Sequence, residues 1–462
     1  MAANPRAAAV AALVRQEQDG FSNLILDAEL KRQKLEGRDK AFASAIFYTV
    51  LEHRGTLDYI LEQFLPKGLA KLDAPVREIL RAALAQARYM QVPVSAAVNE
   101  AVKLTRSFKK SSASGLVNAV LRRACTYDLD TAVFRDDIER LMVLGSAGRD
   151  VAEFLHKNYP DEARNILTYK ADGGLTSLRA NPLKADAAAL CEKLTALGVR
   201  EVRQGVVPGS VLARFEGSPA DQELFRQGYY HVEGQASQLA ALCVEAKPGE
   251  TVLDLCAAPG GKSSQLAAAL QGQGLLVSNE YVAARADILK SNLERMGVPN
   301  AVVLNEDTGR IAAALPEFFD RVLVDAPCSG EGMFRKEAVA VTQHCEALVK
   351  QCAALGAQIL DNAAACLAPG GEMIYSTCTF APEEDEGQVA AFLQRHPEFT
   401  LADVFGNVDY SFGSPGEANR TGGLPLDVNK VRRIWPCQGG EGHFMARLIK
   451  AGTPRALPAP GE

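Results

Sequence analysis

From about residue 248 the chain settles into one repeated pattern, and that pattern limits the fold more than any other feature. TVLDLC, GLLVSNE, AVVLNED, RVLVDAP and EMIYSTC are short, nearly continuous apolar runs separated by stretches of helical periodicity. Strands apolar on both faces and alternating with helices predict a parallel, doubly wound sheet covered by helices on each side. VRRIWP and GHFMARLI, near the end, read as a closing strand pair.

In such a sheet, ligands bind in the crevice beyond the carboxyl ends of the strands. The residues at those ends are Cys256, Glu280, Asp307, Asp325 and Cys378. Five chemically capable side chains on one edge point to a single site. The loop CAAPGGKSS after the first strand is not a phosphate loop, because that motif needs glycine where Cys256 stands. Gly260 and Gly261 permit close backbone approach, and the helix from Lys262 offers amide groups. Glu280, about 20 residues on, is placed to hold ribose hydroxyls, with Asp307 near an adenine. An adenosine cofactor without a phosphate cradle implies S-adenosylmethionine.

VDAPCSG (324–330) places Asp325 three residues before Cys328, and a second thiol, Cys378, ends the fifth strand. Carbon 5 of cytosine is too weakly nucleophilic to take a methyl group unaided. A thiolate adding at carbon 6 turns the ring into an enamine that can, and cysteine both attacks and leaves well. An acid hydrogen-bonding ring nitrogen 3 would assist, which suits Asp325. On residues alone either thiol could be the attacker.

The rest of the chain is organised differently. At 462 residues it exceeds one core. Residues 1–140 read as an all-α bundle of about six helices. Within it, Val98, Ala101, Val102 and Thr105 are expected inward on one helix, and Leu116, Ala119 and Val120 on the next. Residues 145–235 read as a small α/β subdomain, 236–450 as the Rossmann-like domain and 451–462 as a flexible tail. Residues 1–125 carry 19 Lys and Arg against 12 Asp and Glu, and the remainder 31 against 44. A basic front on an acidic body fits a module that meets a polyanion. No apolar run approaches the roughly 18 residues of a membrane span, and the start lacks a signal-peptide pattern. Ten cysteines without a C-x-x-C pair suggest reduced cytoplasmic thiols and no metal site.

LDLCAAPGGKSSQLA, VDAPCSGEGMFRK and YSTCTFAPEEDE together resemble the three signature blocks of the NOL1/NOP2/Sun family of RNA cytosine-5 methyltransferases. The resemblance spans roughly residues 145–450 and includes RTGGLP through WPCQGGEGHFMARL. The front resembles the NusB-like RNA-binding domain that marks the bacterial branch acting on small-subunit (16S) ribosomal RNA. The resemblance implies a class I methyltransferase fold, S-adenosylmethionine as cofactor, ribosomal RNA as partner, and a monomer. It implies Cys378 as nucleophile and Cys328 as the thiol that helps release product, with Asp325 positioning the base. Cofactor contacts carry over to Cys256, Ala257, Ala258, Pro259, Gly260, Gly261, Lys262, Glu280, Asp307 and Asp325. GEGMFRK and TCTFAPEEDE, however, are worded more like the family's F branch, which leaves an F-like or tRNA-directed enzyme as an alternative. A non-enzymatic RNA-binding or assembly factor is the rival from another class, and an ATPase is disfavoured by Cys256.

Blander expectations attach to other residues. Cys125, Cys191, Cys243, Cys345, Cys352 and Cys366 are expected to pack. Trp435 is expected to anchor the core, and EEDE (383–386) to open a helix, where carboxylates suit the dipole. Arg335 and Lys336 are equally suited to RNA phosphates or to solvent.

Overall fold

The computed structural model describes residues 4–19, 22–169, 175–334, 344–406, 413–438 and 442–457; Arg335 and Lys336 lie outside them. The chain divides into two compact units, Met1–Thr168 and Tyr169–Glu462.

The first unit is helical: α1 (Pro5–Asp19), α2 (Ser22–Arg32), α3 (Gly37–Glu52), α4 (Arg54–Glu62), α5 (Ala74–Tyr89), α6 (Val94–Ser107), α7 (Ser114–Ala124), α8 (Asp137–Gly145), α9 (Arg149–Asn158) and α10 (Ala163–Thr168). Among the described residues seven α-helices precede residue 125, against about six expected for residues 1–140. Helix α5 starts with proline in its first turn, where no amide partner is lost. It buries Val76, Ile79, Leu80 and Ala82 through Ala85, and α1, α3, α4, α6 and α7 pack around it.

Helix α6 buries Val98, Ala101 and Thr105 as its spacing predicts, with Ala97 and Leu104 beside them, while Val102 is half-buried. The Thr105 hydroxyl lies 2.8 Å from that of Ser114, tying α6 to the start of α7. Helix α7 departs from expectation. It buries Val117, Val120, Leu121 and Ala124, whereas Leu116 and Ala119 are exposed. The buried set obeys the i, i+3, i+4, i+7 rule in full, and the set containing Leu116 does not.

The second unit begins with an antiparallel sheet of β1 (Thr176–Ala180), β2 (Arg200–Gln204), β3 (Ser210–Arg214) and β4 (Tyr230–Val232), ordered β2-β3-β1-β4. Helix α11 (Ala187–Ala196) closes its core through Leu190 and Leu194 against Leu178, Val211 and Tyr230. After α12 (Glu223–Arg226) and α13 (Gln235–Leu242) comes the large sheet: β5 (Thr251–Asp254), β6 (Leu275–Asn279), β7 (Ala301–Leu304), β8 (Phe319–Asp325), β9 (Leu367–Thr377), β10 (Phe399–Ala402), β11 (Ser414–Pro415), β12 (Arg432–Ile434) and β13 (His443–Lys450). Strands β7-β6-β5-β8-β9 run parallel; β13 lies antiparallel on β9 and carries β12 and β10. Helices α14 (Gly261–Ala269), α15 (Ala283–Met296), α16 (Thr308–Ala314), α17 (Glu346–Cys366) and α18 (Glu386–Arg395) complete the doubly wound layer. Val252, Leu253, Val322, Leu323 and Val324 are fully buried, as two-sided strands require.

The winding sets the site. From β5 the chain moves outward to β6 and β7, then returns to β8 on the other side of β5. The loops leaving β5 and β8 therefore diverge and open a crevice at the switch point. No described helix is long and apolar enough to cross a membrane.

Candidate active site

Strands β8 and β9 pair in register with Asp325 opposite Ser376. That register carries the loops beyond them side by side and sets Cys328 Sγ 3.3 Å from Cys378 Sγ. Two thiols fifty residues apart become neighbours because the strands bearing them are. Gly332 keeps the approach tight: a Cβ there would stand 2.8 Å from the Cys378 carbonyl oxygen and 2.7 Å from that of Gly442. Its amide donates to the Cys378 carbonyl at 3.0 Å. The hydrogen bond with Cys378, and then burial, push the Cys328 thiol well above its ordinary range, with Glu384 adding to the effect.

Asp325 sits at the same edge. Its Oδ2 accepts from Lys262 Nζ at 2.7 Å, its Oδ1 accepts from Ser376 Oγ at 2.7 Å, and His443 Nε2 is 4.0 Å away. Burial alone would raise its pKa, but the Lys262 ammonium, His443 and the two hydrogen bonds outweigh it and hold the carboxyl below its usual range. Burial likewise opposes the Lys262 charge, but Asp325, Glu233 and Asp254 surround it and bind its proton more tightly than water does. Lys262 opens α14, so the glycine loop and the thiol edge are joined by one ion pair.

Below that loop lies a buried polar floor. Asp254, at the end of β5, accepts from Ser263 Oγ at 2.6 Å, and Ser278 Oγ reaches Ser263 at 2.9 Å. Burial pushes Asp254 up to about 7 against the pull of Ser263. Arg179 of β1 pairs with Glu233 at 3.0 Å and donates to the Gly261 carbonyl, which fastens the small sheet to the loop. His231 is held down at about 3 by burial and then by Arg179, Arg295 and Lys262.

The remaining sequence-derived residues fall along the same strand ends. Cys256 is half-buried, its thiol pushed up by burial and by the acids around it. Gly260 has φ of 104°, a left-handed value that glycine takes without strain, and a Cβ there would meet Leu289 at 2.9 Å. Glu280 is buried at the end of β6, where its carboxylate accepts the Val282 amide at 2.9 Å and faces Arg285 at 3.4 Å. Asp307 is exposed and caps α16 by accepting the Gly309 amide at 2.9 Å. A glycine-bare loop beside an acid at the second strand's end has the chemistry an adenosyl group needs. Among the described residues no cluster of His, Cys, Asp or Glu could hold a metal ion.

One expectation about the cysteines needs correction. Cys345 does not pack; it is exposed at the N-cap of α17. Cys243, by contrast, is pushed up to about 12 by burial, and Cys125, Cys352 and Cys366 to about 11. The run EEDE opens helix α18 as expected, and Glu384, Asp385 and Glu386 are buried there. Asp385 accepts from Thr377 Oγ1 at 2.6 Å and faces Arg433 at 3.1 Å; Glu386 accepts from Arg433 Nε at 2.6 Å and from the Glu417 amide at 3.0 Å. Buried charge persists only with such partners. Trp435 is buried and stacks on Phe380 with centroids 4.8 Å apart, an anchor as predicted.

Sequence reasoning missed Ser329, Glu331, Thr379 and Arg433, which hold the two thiol loops from behind. Their signal was faint: polar residues inside otherwise apolar blocks, flanking each thiol.

Residues 241–449 match the family model described as 16S rRNA methyltransferase RsmB/F, and residues 3–125 match that of the NusB family. Over 400 residues the chain is 30% identical to a probable ribosomal RNA small subunit methyltransferase B of Bacillus subtilis, covering 85% of this chain and 88% of that one. Against ribosomal RNA small subunit methyltransferase F of Pectobacterium atrosepticum identity is 38% over 237 residues, covering 51% of this chain and 47% of that one. The crystal structure of a methyltransferase homolog protein from Pyrococcus horikoshii shares the fold, with a TM-score of 0.59 at 24% identity over 69% of this chain and 100% of that chain.

Proposed function

Because the chain belongs to the 16S rRNA methyltransferase RsmB/F family, we propose that it methylates carbon 5 of a cytosine in small-subunit ribosomal RNA through a covalent adduct. The observation that carries this reading is the thiol pair, Cys328 and Cys378 at 3.3 Å, beside the ionised Asp325. Methylation of an exocyclic amino group requires no thiol, and a binding or assembly factor requires neither.

S-adenosylmethionine, the family's cofactor, supplies the methyl group as an electrophile. Cys256 through Lys262 would hold it with Glu280 and Asp307, and the Lys262–Asp325 pair links that loop to the base. Cys378 Sγ bonds to carbon 6 of the cytosine, and the ring electrons move to carbon 5, which takes the methyl group. Asp325, fixed by Lys262 and Ser376, lies against the nitrogen edge of the ring. Water, acting as base, then takes the carbon 5 proton; the C–H electrons restore the double bond, and the Cys378 sulfur leaves with the electrons of its bond to carbon 6. Cys328, protonated and in contact with that sulfur, hands it a proton as it leaves. The helical front, which matches the NusB model, is the part we assign to RNA docking, and such a substrate places the protein in the cytoplasm.

The order of roles makes the two thiols separable. Cys378→Ser should abolish methyl transfer while cofactor binding persists. Cys328→Ala should accumulate an RNA–protein adduct that survives denaturing gels. Substantial turnover by the serine variant would remove the mechanism. Bisulfite sequencing of ribosomal RNA with and without the protein tests the target: a lost 5-methylcytosine in 16S RNA supports the reading, and one lost only from tRNA would favour a tRNA-directed enzyme.

A further inference from the structure

Behind the thiols, two carboxylates converge on one hydroxyl. Ser329 Oγ lies 2.5 Å from Glu384 Oε1, 3.0 Å from Glu331 Oε1 and 2.8 Å from Thr379 Oγ1. All four residues are at least nine-tenths buried, so water does not settle the hydrogen count. Ser329 has one proton to give. Thr379 can donate to it, since the Thr379 oxygen itself accepts the Ala381 amide at 3.3 Å. Glu331 is fully engaged as an acceptor: Oε2 takes the Phe380 amide at 2.8 Å, and Oε1 faces His344 Nε2 at 2.8 Å and Ser329. If Ser329 donates to Glu331, the shorter contact to Glu384 holds a proton only if Glu384 brings it. If Ser329 donates to Glu384 instead, the hydroxyl and the Glu331 oxygen face each other with no proton between them. The remaining Glu384 oxygen accepts the Ser329 amide at 3.0 Å.

We propose that Glu384 is a neutral carboxylic acid that donates to Ser329, accepts the Ser329 amide, and so acts as a positioning residue clamping the Cys328 loop to the Cys378 loop. Ser329 follows Cys328 directly and Thr379 follows Cys378, so the clamp acts one residue from each sulfur. The inference rests on the two-thiol reading of the site.

The groups around Glu384 agree. Its carboxyl is pushed up to about 8 by burial, opposed by the Ser329 hydrogen bond and reinforced by Glu331 and Glu383. From the β8 loop it faces Cys328 and Glu331, with His344 beyond; from β9, Tyr375, whose hydroxyl donates to the Glu384 carbonyl at 2.6 Å. Helix α17 brings Cys352, and helix α18 brings Asp385 and Glu386, both paired with Arg433 of β12. Ionising Glu384 places a second charge beside Glu331 and another acid near Cys328, and opens the clamp.

Glutamine reproduces the proposed hydrogen pattern, with Oε1 accepting the Ser329 amide and Nε2 donating to Ser329 Oγ. Glu384→Ala should therefore lower single-turnover methyl transfer at neutral pH by about tenfold or more, because the Ser329 hydroxyl and amide both lose a buried partner. Glu384→Gln should restore it to within about threefold. Wild type should lose activity as the pH rises through about 8, and Glu384→Gln should not. A glutamine variant as slow as the alanine variant, or one keeping the alkaline loss, overturns the neutral-acid assignment. Cofactor binding by each variant reports folding. Cys378→Ser, assayed alongside, separates the two failures: full turnover there removes the two-thiol reading itself, whatever the Glu384 variants do.

Discussion

Asp325 is held by opposing forces, so removing one of its partners should shift its protonation. Burial favours the acid; Lys262 at 2.7 Å favours the carboxylate and prevails. Lys262→Met removes the cation and leaves burial, so the pKa of Asp325 should rise. A depressed carboxylate keeps its charge until the pH falls through its lowered pKa, so the acid limb of wild-type methyl transfer should lie low. In Lys262→Met that limb should move to higher pH at saturating cofactor. An unmoved limb would mean that Lys262 serves the cofactor loop alone. Residue-scale legibility was uneven for a physical reason. Asp325, Cys328 and Cys378 could be picked out because strand ends carry chemistry and each stood at one. Glu331 and Glu384 could not, because a buried acid and a solvated one look alike until the partner appears, and their partners lie about fifty residues away. The same holds for Arg433, a cation that sequence places on an edge strand and the fold fully buries between Asp385 and Glu386.

At the scale of elements, strands were easier to read than helix faces. An apolar run such as RVLVDAP admits one interpretation when helices flank it, and β8 ends where that run does. A short helix offers several overlapping stripes. On α7 the stripe through Leu116 competes with the one through Val117, and the choice is made by α5 and α6, which pack against it. Val117 is fully buried and Leu116 is 38% exposed. Val117→Ala should therefore destabilise the helical unit by about 2 kcal/mol through lost burial and a residual cavity. Leu116→Ala should stay within about 0.5 kcal/mol. Hydrogen exchange of the α7 amides measures both in the intact chain. Equal losses would return Leu116 to the core. EEDE shows the complementary difficulty: its helix start was legible, but whether its acids meet solvent or Arg433 depends on β12, which arrives some 45 residues later.

At the scale of the whole chain, the fold redistributes the charge that sequence assigned to the front. Helices α8–α10 belong to the first unit, and with them Met1–Thr168 carries 24 Lys and Arg against 21 Asp and Glu. The excess is thus concentrated, not spread. Residues 101–125 hold six cations and no acid. Lys103 and Arg106 are exposed on α6, Lys109 just past its end, and Arg122 and Arg123 on α7, and of these only Lys103 has an acid partner among the described residues, Glu100 at 2.7 Å. Arg123 lies over the Phe64 ring at 4.6 Å and so has a packing role. In the second unit several exposed arginines are matched: Arg200 with Glu216, Arg214 with Glu201, Arg226 with Glu223. A phosphate backbone is attracted to the unmatched stripe and indifferent to the matched pairs. Neutralising Arg106, Lys109 and Arg122 together should weaken binding to ribosomal RNA and flatten its salt dependence, by roughly 0.7 to 0.9 in log–log slope for each phosphate contact removed. Neutralising Arg200, Arg214 and Arg226 is the control, and should leave the slope near wild type. Equal slopes in both variants would mean that α6 and α7 face solvent when RNA is bound, and that the second unit holds the RNA without them.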